Sequence, residues 1–263
     1  MSLTNHIAGV AHVHSTYSYD GRLSMAELAA VAERRRWSFM LVTEHSDSLT
    51  PEGFTAAEAE CQALSHDGFV MFPSVEYTCD DNVHILGYNA GFIADFPTSP
   101  VALAREVRSR GGLAILAHPR KYTRRRPELL TEDLLNTVSG VEVWNSKVMY
   151  DGPWFAPVRN YDFVRPGGLA FCGQDAHFYK HFSSLVIEMD VPSLTRDQIM
   201  QCIAGARFRI TNGSTSLDPR GMPIGRARTV ARATDAALSF ALTQALRVRK
   251  FIKGDGTRVT KSQ

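Results

Sequence analysis

The chain has 263 residues, 44% of them hydrophobic, and a formal net charge of +2. That balance gives ample material for a core and excludes a polyelectrolyte partner held by global charge. Four scattered cysteines without a C-x-x-C pair argue against a disulfide framework and a zinc ribbon, and no apolar run approaches the ~18 residues of a membrane span.

In chain order, short apolar runs alternate with amphipathic segments. Residues 10–14 read as a strand. Ser24 and Glu27 form a capping-box signal that opens a helix to about residue 36. Residues 39–42 are a continuous apolar strand that delivers Glu44 and His45, and 55–64 a helix. Strands follow at 69–75, leading to Glu76, and at 83–88, carrying His84. A helix over 101–110 stops at Gly111-Gly112, and a strand over 113–117 ends in His118-Pro119. A basic loop at 120–127 precedes a helix over 131–138. Strands at 140–144 and 169–172 end at Asn145 and at Gly173-Gln174-Asp175. A strand at 185–189, a helix at 195–204 and a last strand at 207–211 complete the alternation.

Apolar strands alternating with helices predict a parallel sheet, and seven or more in one domain-sized chain predict a closed or nearly closed barrel. Reactive groups gather at the C-terminal strand ends of such barrels. Residues 150–166, rich in Pro, Gly and aromatics, are expected to cover that end. A linker over 212–226 leads to a terminal helix at about 229–253, patterned by Leu238, Leu242 and Leu246. Residues 1–226 are therefore expected to form the barrel, with 227–263 packed on it. The N-terminus has no charged region followed by an apolar one, and ligand-type residues begin at His12, so a cytoplasmic protein is expected.

Six of the nine histidines (His12, His14, His45, His84, His118, His177) fall at these strand positions. A single such histidine is ordinarily structural; six together are not explained that way. In His12-Val13-His14 the side chains two apart share a strand face and can hold one ion. Asp175 and His177 repeat that spacing. Glu44 would point to the face opposite His45, either supporting the ligands from behind or solvated. Asp20, before Gly21, suits a ligand or a turn. Glu76 has two oxygens and can bridge two cations. Imidazole and carboxylate donors without thiolate suit Mn, Fe or Zn.

The runs His12-Val-His-Ser-Thr-Tyr-Ser-Tyr-Asp-Gly21, Val42-Thr-Glu-His-Ser-Asp47, Val83-His-Ile-Leu-Gly87, Ala117-His-Pro119 and Gly173-Gln-Asp-Ala-His177 resemble the signature motifs of the PHP (polymerase and histidinol phosphatase) family, over about residues 8–215. The resemblance implies a distorted (β/α)7 TIM-like barrel, here with a C-terminal helix, and a phosphoesterase with two or three divalent metal ions. It implies one ion held by His12, His14, Glu76 and Asp175. A second would be held by Glu76, His84 and His118, and a third by Asp20, His45 and His177. Asp20 lies six residues past His14, where many members have five.

The function expected is hydrolysis of a small phosphorylated metabolite or nucleotide, a phosphomonoester, by a metal-bridging hydroxide. Glu76 and Asp175 would serve as catalytic ligands. Asp47 would orient a ligand or shuttle a proton. Arg120 and Lys121 follow a ligand strand and are expected to touch the substrate phosphate, with Asn145 lining the pocket. Neither a membrane nor a stable nucleic-acid partner is expected. The alternatives are an amidohydrolase-like C–N or ester hydrolase and a metal-binding PHP module without turnover.

Overall fold

The computed structural model describes residues 4–123, 126–147 and 161–225, without the side chains at 120, 123 and 161. The predicted helix at 229–253, the unit 227–263 and residues 150–160 of the predicted covering loop lie outside the described residues.

Strand β1 (Asn5–Val13) leads through Ser24 into helix α1 (Met25–Arg35). The Ser24 hydroxyl accepts from Glu27 N while the Glu27 carboxylate accepts from Ser24 N, so both partners of the predicted capping box engage. Strand β2 (Phe39–His45), helix α2 (Pro51–Leu64) and strand β3 (Val70–Thr78) continue the alternation. No helix separates β3 from strand β4 (His84–Tyr88). A tight turn at Asp80–Asn82 joins them, with Asp81 in a left-handed conformation at φ 57°. Helix α3 (Pro100–Ser109), strand β5 (Leu113–Leu116), short helices α4 (Arg120–Thr123) and α5 (Glu132–Thr137), strand β6 (Gly140–Asn145) and strand β7 (Leu169–Gly173) follow. Strand β8 (Val186–Val191), helix α6 (Arg196–Ala204) and strand β9 (Arg209–Thr211) come next. The predicted 212–226 linker contains strands β10 (Ser216–Leu217) and β11 (Pro223–Ile224).

The eleven strands of the described residues form one sheet in the order β11-β10-β9-β8-β1-β2-β3-β4-β5-β6-β7. It is mixed, not parallel as expected. β4 runs antiparallel to both β3 and β5, and β8 is antiparallel to β1. The physical reason is the short β3–β4 connection, since a parallel crossover needs a dozen or more residues. The fold is thus a curled mixed α/β sheet that departs from a strict (β/α)7 repeat.

The curl is carried by β1, whose edge opposite β2 is shared. Its first half, Asn5 to Gly9, pairs with β8. Its second half meets the chain just beyond β7: Gln174 N donates to Ala11 O at 2.9 Å and His14 N to Ala176 O at 2.9 Å. That return brings the end of β7 beside the end of β1. Gly9 lets β1 lie close against β2, because a Cβ there would overlap the Phe39 carbonyl and ring.

Side chains sort by strand period. Phe39 and Leu41 face an interior cluster with Leu86, Tyr88, Ile115 and Phe171. Met40 and Val42 face outward, against Met25, Leu28 and Val31 of α1 and Ala57 of α2. The four cysteines are buried and joined by no disulfide among the described residues, as small apolar residues would be. Among the described residues no helix is long and apolar enough to cross a membrane.

Candidate metal centre

All nine predicted ligand residues converge at one end of the curled sheet. Glu76, 1% exposed, is their hub. Its Oε1 lies 2.6 Å from His84 Nδ1 and 3.1 Å from His118 Nε2. Its Oε2 lies 3.3 Å from Nε2 of both His12 and His14 and 3.2 Å from His45 Nδ1. The two carboxylate oxygens therefore address two different groups of imidazoles. Asp175 Oδ1 is 3.9 Å from Nε2 of His12 and of His14. Asp20, 37% exposed at its side chain, joins His45 at 3.4 Å and His177 at 2.9 Å.

The backbone reaches this arrangement by leaving ordinary strand geometry. His12 has φ 58°, and the β1–β2 register shifts between Ala11 and Val13. Val10 and Val13 both pack outward, while His12 and His14 both reach the centre. The simple i, i+2 reading of His-x-His is thus replaced by a bulge, which re-aims side chains at a strand end. His118 and Asp175 also have positive φ, 29° and 49°. Left-handed backbone at non-glycine residues is costly and collects at functional sites. His84 needs no such device. Because β4 runs antiparallel, its first residue sits where the parallel strands place their last.

Two buried carboxylates that the sequence reading left out or undecided hold the imidazoles from behind. Glu142 is fully buried. Its Oε1 accepts from His12 Nδ1 at 2.8 Å, and its Oε2 accepts from His118 N at 2.8 Å and Asn145 Nδ2 at 3.0 Å. Glu142 was missed, although a charged residue inside the apolar run Gly140–Asn145 is a readable signal that it has a buried partner. A Cβ at Gly173 would overlap Glu142 Oε1, so that position is kept open for the carboxylate. Glu44 is also buried and not solvated. It accepts from the hydroxyls of Ser15 and Ser18, and Ser18 Oγ lies 3.3 Å from His14 Nδ1. Tyr122, likewise unread in the sequence, places its hydroxyl 3.3 Å from His118 Nδ1 and accepts from His84 N.

The remaining predicted residues stand apart from this convergence or outside the described side chains. Asp47 is exposed in the turn after β2, where its carboxylate accepts from Ser46 Oγ at 3.4 Å. Asn145 is buried with its amide given to Glu142, behind the centre. Lys121 is exposed on α4 and adds to the positive field at His84. The side chain of Arg120, like residues Arg124 and Arg125 of the basic loop, lies outside the described residues.

Charge follows from burial. Desolvation lowers His14, His84 and His177, and takes His45 down to about 4 with help from His14. Burial acts against ionised Glu76, yet His12, His118 and His14 together hold it well below the usual carboxylate range. Burial likewise opposes Asp175, and His12, His118 and Lys147 pull it down. Burial lifts Glu44 to about 6 against the opposing bonds from Ser15 and Ser18. Among the imidazoles His12 goes the other way: burial opposes its charge, yet Glu142, Glu76 and Asp175 hold it well above the usual imidazole range, so a cation bound there would displace its proton.

The donor set fits divalent ions. His12–His14–Asp175, His12–Glu76–His118 and His14–His45–His177 each bring three ligand atoms within 4.8 Å of one another. Nε2 of His12, Nε2 of His14 and Oδ1 of Asp20 are buried without hydrogen-bond partners. Buried polar atoms are ordinarily paired, so the orphaned Nε2 atoms of His12 and His14, both turned toward Glu76 and Asp175, mark a place for a cation. His12 donates its other nitrogen to Glu142, as imidazole ligands of metals do.

No family model matches the chain, and no curated protein matches it by sequence. Solved structures do match. A two-domain protein from Bacteroides vulgatus containing a predicted PHP-like metal-dependent phosphoesterase superposes with a TM-score of 0.54 at 15% identity, covering 79% of this chain and 65% of that one. Endonuclease Q, in complex with a 27-mer duplex carrying an abasic lesion at the active site, gives 0.55 at 15% identity over 76% of this chain and 57% of that one. The lesion-specific endonuclease from Pyrococcus furiosus gives 0.52 at 17% identity over 82% and 60%. The chain spans between 57% and 65% of the length of these structures. At such identities the likeness is one of fold: the chain has the fold of the PHP-like metal-dependent phosphoesterases.

Proposed function

We propose that the protein is a metal-dependent phosphoesterase of the PHP type, acting on a small phosphomonoester. The observation that carries this is the division of Glu76, whose two oxygens face separate imidazole groups. One carboxylate shared in this way is what a pair of cations needs. His12, His14, Glu76 and Asp175 would hold the first ion, Glu76, His84 and His118 the second, and Asp20, His45 and His177 a third. When bound, such ions supply charge neutralisation for a phosphoryl group and activation of water. The chain's own residues do the rest. Glu142 fixes the tautomer and orientation of His12, and Ser18 with Glu44 does so for His14. Interior packing by Leu86, Tyr88 and Phe171 keeps bulk water from the back of the centre. An anionic substrate fits because the ligand carboxylates Asp20, Glu76 and Asp175 by themselves cannot balance two or three divalent ions.

The test is phosphate release from a panel of nucleotides, sugar phosphates and short oligonucleotides with added manganese, beside p-nitrophenyl phosphate and p-nitrophenyl acetate. Metal-dependent turnover of phosphate esters is expected, and Glu76→Gln should reduce it by more than about 100-fold. Turnover of the acetate alone would move the protein to the carboxylic-ester hydrolases. Cleavage of oligonucleotides alone would replace the small substrate by nucleic acid.

A further inference from the structure

Lys147 stands two residues beyond the end of β6, and its position is built. Its backbone N donates to Asn145 Oδ1 at 3.1 Å, and Asn145 is tied in turn to Glu142. The ammonium lies 3.1 Å from Asp175 Oδ1 and 3.3 Å from each ring nitrogen of His177. Asp175 Oδ1 is the oxygen turned toward Nε2 of His12 and His14. Lys147 therefore shares its carboxylate oxygen with the candidate first ion and touches a candidate ligand of the third.

A fixed ammonium at that place opposes the binding of divalent cations. The ligand carboxylates Asp20, Glu76 and Asp175 carry at most three negative charges, and Glu142 and Glu44 behind them at most two more. Two divalent ions with Lys147 match that total, and a third ion leaves the mouth net positive. The excess becomes favourable once an anion lodges between ions and ammonium. Lys147 can make that exchange, because its side chain is 38% exposed and its four-carbon stem lets the head group move.

We propose that Lys147 is a substrate-binding residue whose ammonium leaves Asp175 for a nonbridging oxygen of the phosphoryl group. The inference rests on the phosphoesterase reading and assigns that site a phosphate contact from β6 in addition to those expected from Arg120 and Lys121. A residue that merely props Asp175 would behave differently, and three measurements separate the two. Manganese affinity and stoichiometry are measured by calorimetry and elemental analysis. Binding of inorganic phosphate to the manganese-loaded protein is measured by calorimetry. KM and kcat are measured on the best phosphate ester found.

For Lys147→Met, the full metal complement is expected, with affinity equal to wild type or tighter. Phosphate affinity should fall at least tenfold and KM rise with it, and Lys147→Arg should restore part of both. Loss of metal in Lys147→Met, with phosphate affinity unchanged in the fraction still loaded, would make Lys147 a support for Asp175 and overturn the proposal. Unchanged phosphate binding with full metal would also overturn it. Should Lys147→Met not fold by circular dichroism, Lys147→Gln carries the same comparison. A wild-type protein that binds manganese and phosphate yet hydrolyses no phosphate ester would refute the phosphoesterase reading while leaving the Lys147 contact measurable.

Discussion

Glu142 holds three donors at once, from His12, His118 and Asn145, without any exposure of its own. Removing one member of such a buried set leaves the others unpaired, which costs more than the bonds contributed. Glu142→Ala should therefore free the His12 ring to rotate and loosen the His118 backbone. Metal affinity is expected to fall about 10- to 100-fold, the usual effect of losing a carboxylate behind an imidazole ligand. Glu142→Gln, which keeps acceptor capacity but not charge, should fall between. Calorimetric titration with manganese decides it: an affinity within about twofold of wild type for both variants would show that Glu142 only fills space. The nine converging residues were legible as candidate ligands because imidazoles and carboxylates recur at strand ends. Their supporting partners were less so. Glu142, Tyr122 and Lys147 come into contact with the ligands only through the curl of the sheet, which one-dimensional spacing does not contain.

Elements were legible wherever a local signal decides them. Ser24 and Glu27 announce α1, and the structure starts the helix at Met25 with both cap bonds made. Replacing Ser24 by Ala removes a side-chain acceptor and leaves Glu27 N without its cap. A loss of about 1 kcal/mol in unfolding free energy is expected, read by urea denaturation with an unchanged m-value. Stability unchanged within error would mean that packing of Met25 and Leu28 alone holds the first turn. Strand direction was the part misread. Periodicity marks a strand without giving its sense. The sign of β4 was nevertheless present in its connection, since only residues 79–83 separate β3 from β4 and include the turn formers Asp80, Asp81 and Asn82. The bulge at His12 carries no comparable local signal, because no glycine marks its left-handed residue.

At the scale of the whole molecule the sheet curls around a buried polar centre, and that centre opposes folding until it is filled. Six imidazoles and the carboxylates of Glu76 and Asp175 are desolvated together, with Nε2 of His12 and His14 left unpaired. Buried polar atoms without partners cost about 1–3 kcal/mol each. A cation that binds the folded chain and not the unfolded one repays that cost by mass action, by about 2.7 kcal/mol at a hundredfold excess over Kd. For a domain of this size the gain corresponds to roughly 5–10 °C in Tm. Manganese, iron(II) or zinc added to chelator-treated protein should therefore raise Tm in a concentration-dependent way, and EDTA should reverse it. Because Glu76 faces both imidazole groups, Glu76→Gln should abolish most of the rise, while Asp20→Asn, at a carboxylate that faces His45 and His177, should leave the larger part. If none of the three metals shifts Tm at millimolar concentration, the convergence of these side chains is a packing arrangement and not an ion site. If Asp20→Asn abolishes the shift as completely as Glu76→Gln, the ions bind as one inseparable cluster and the division of Glu76 between two imidazole groups does not govern their binding.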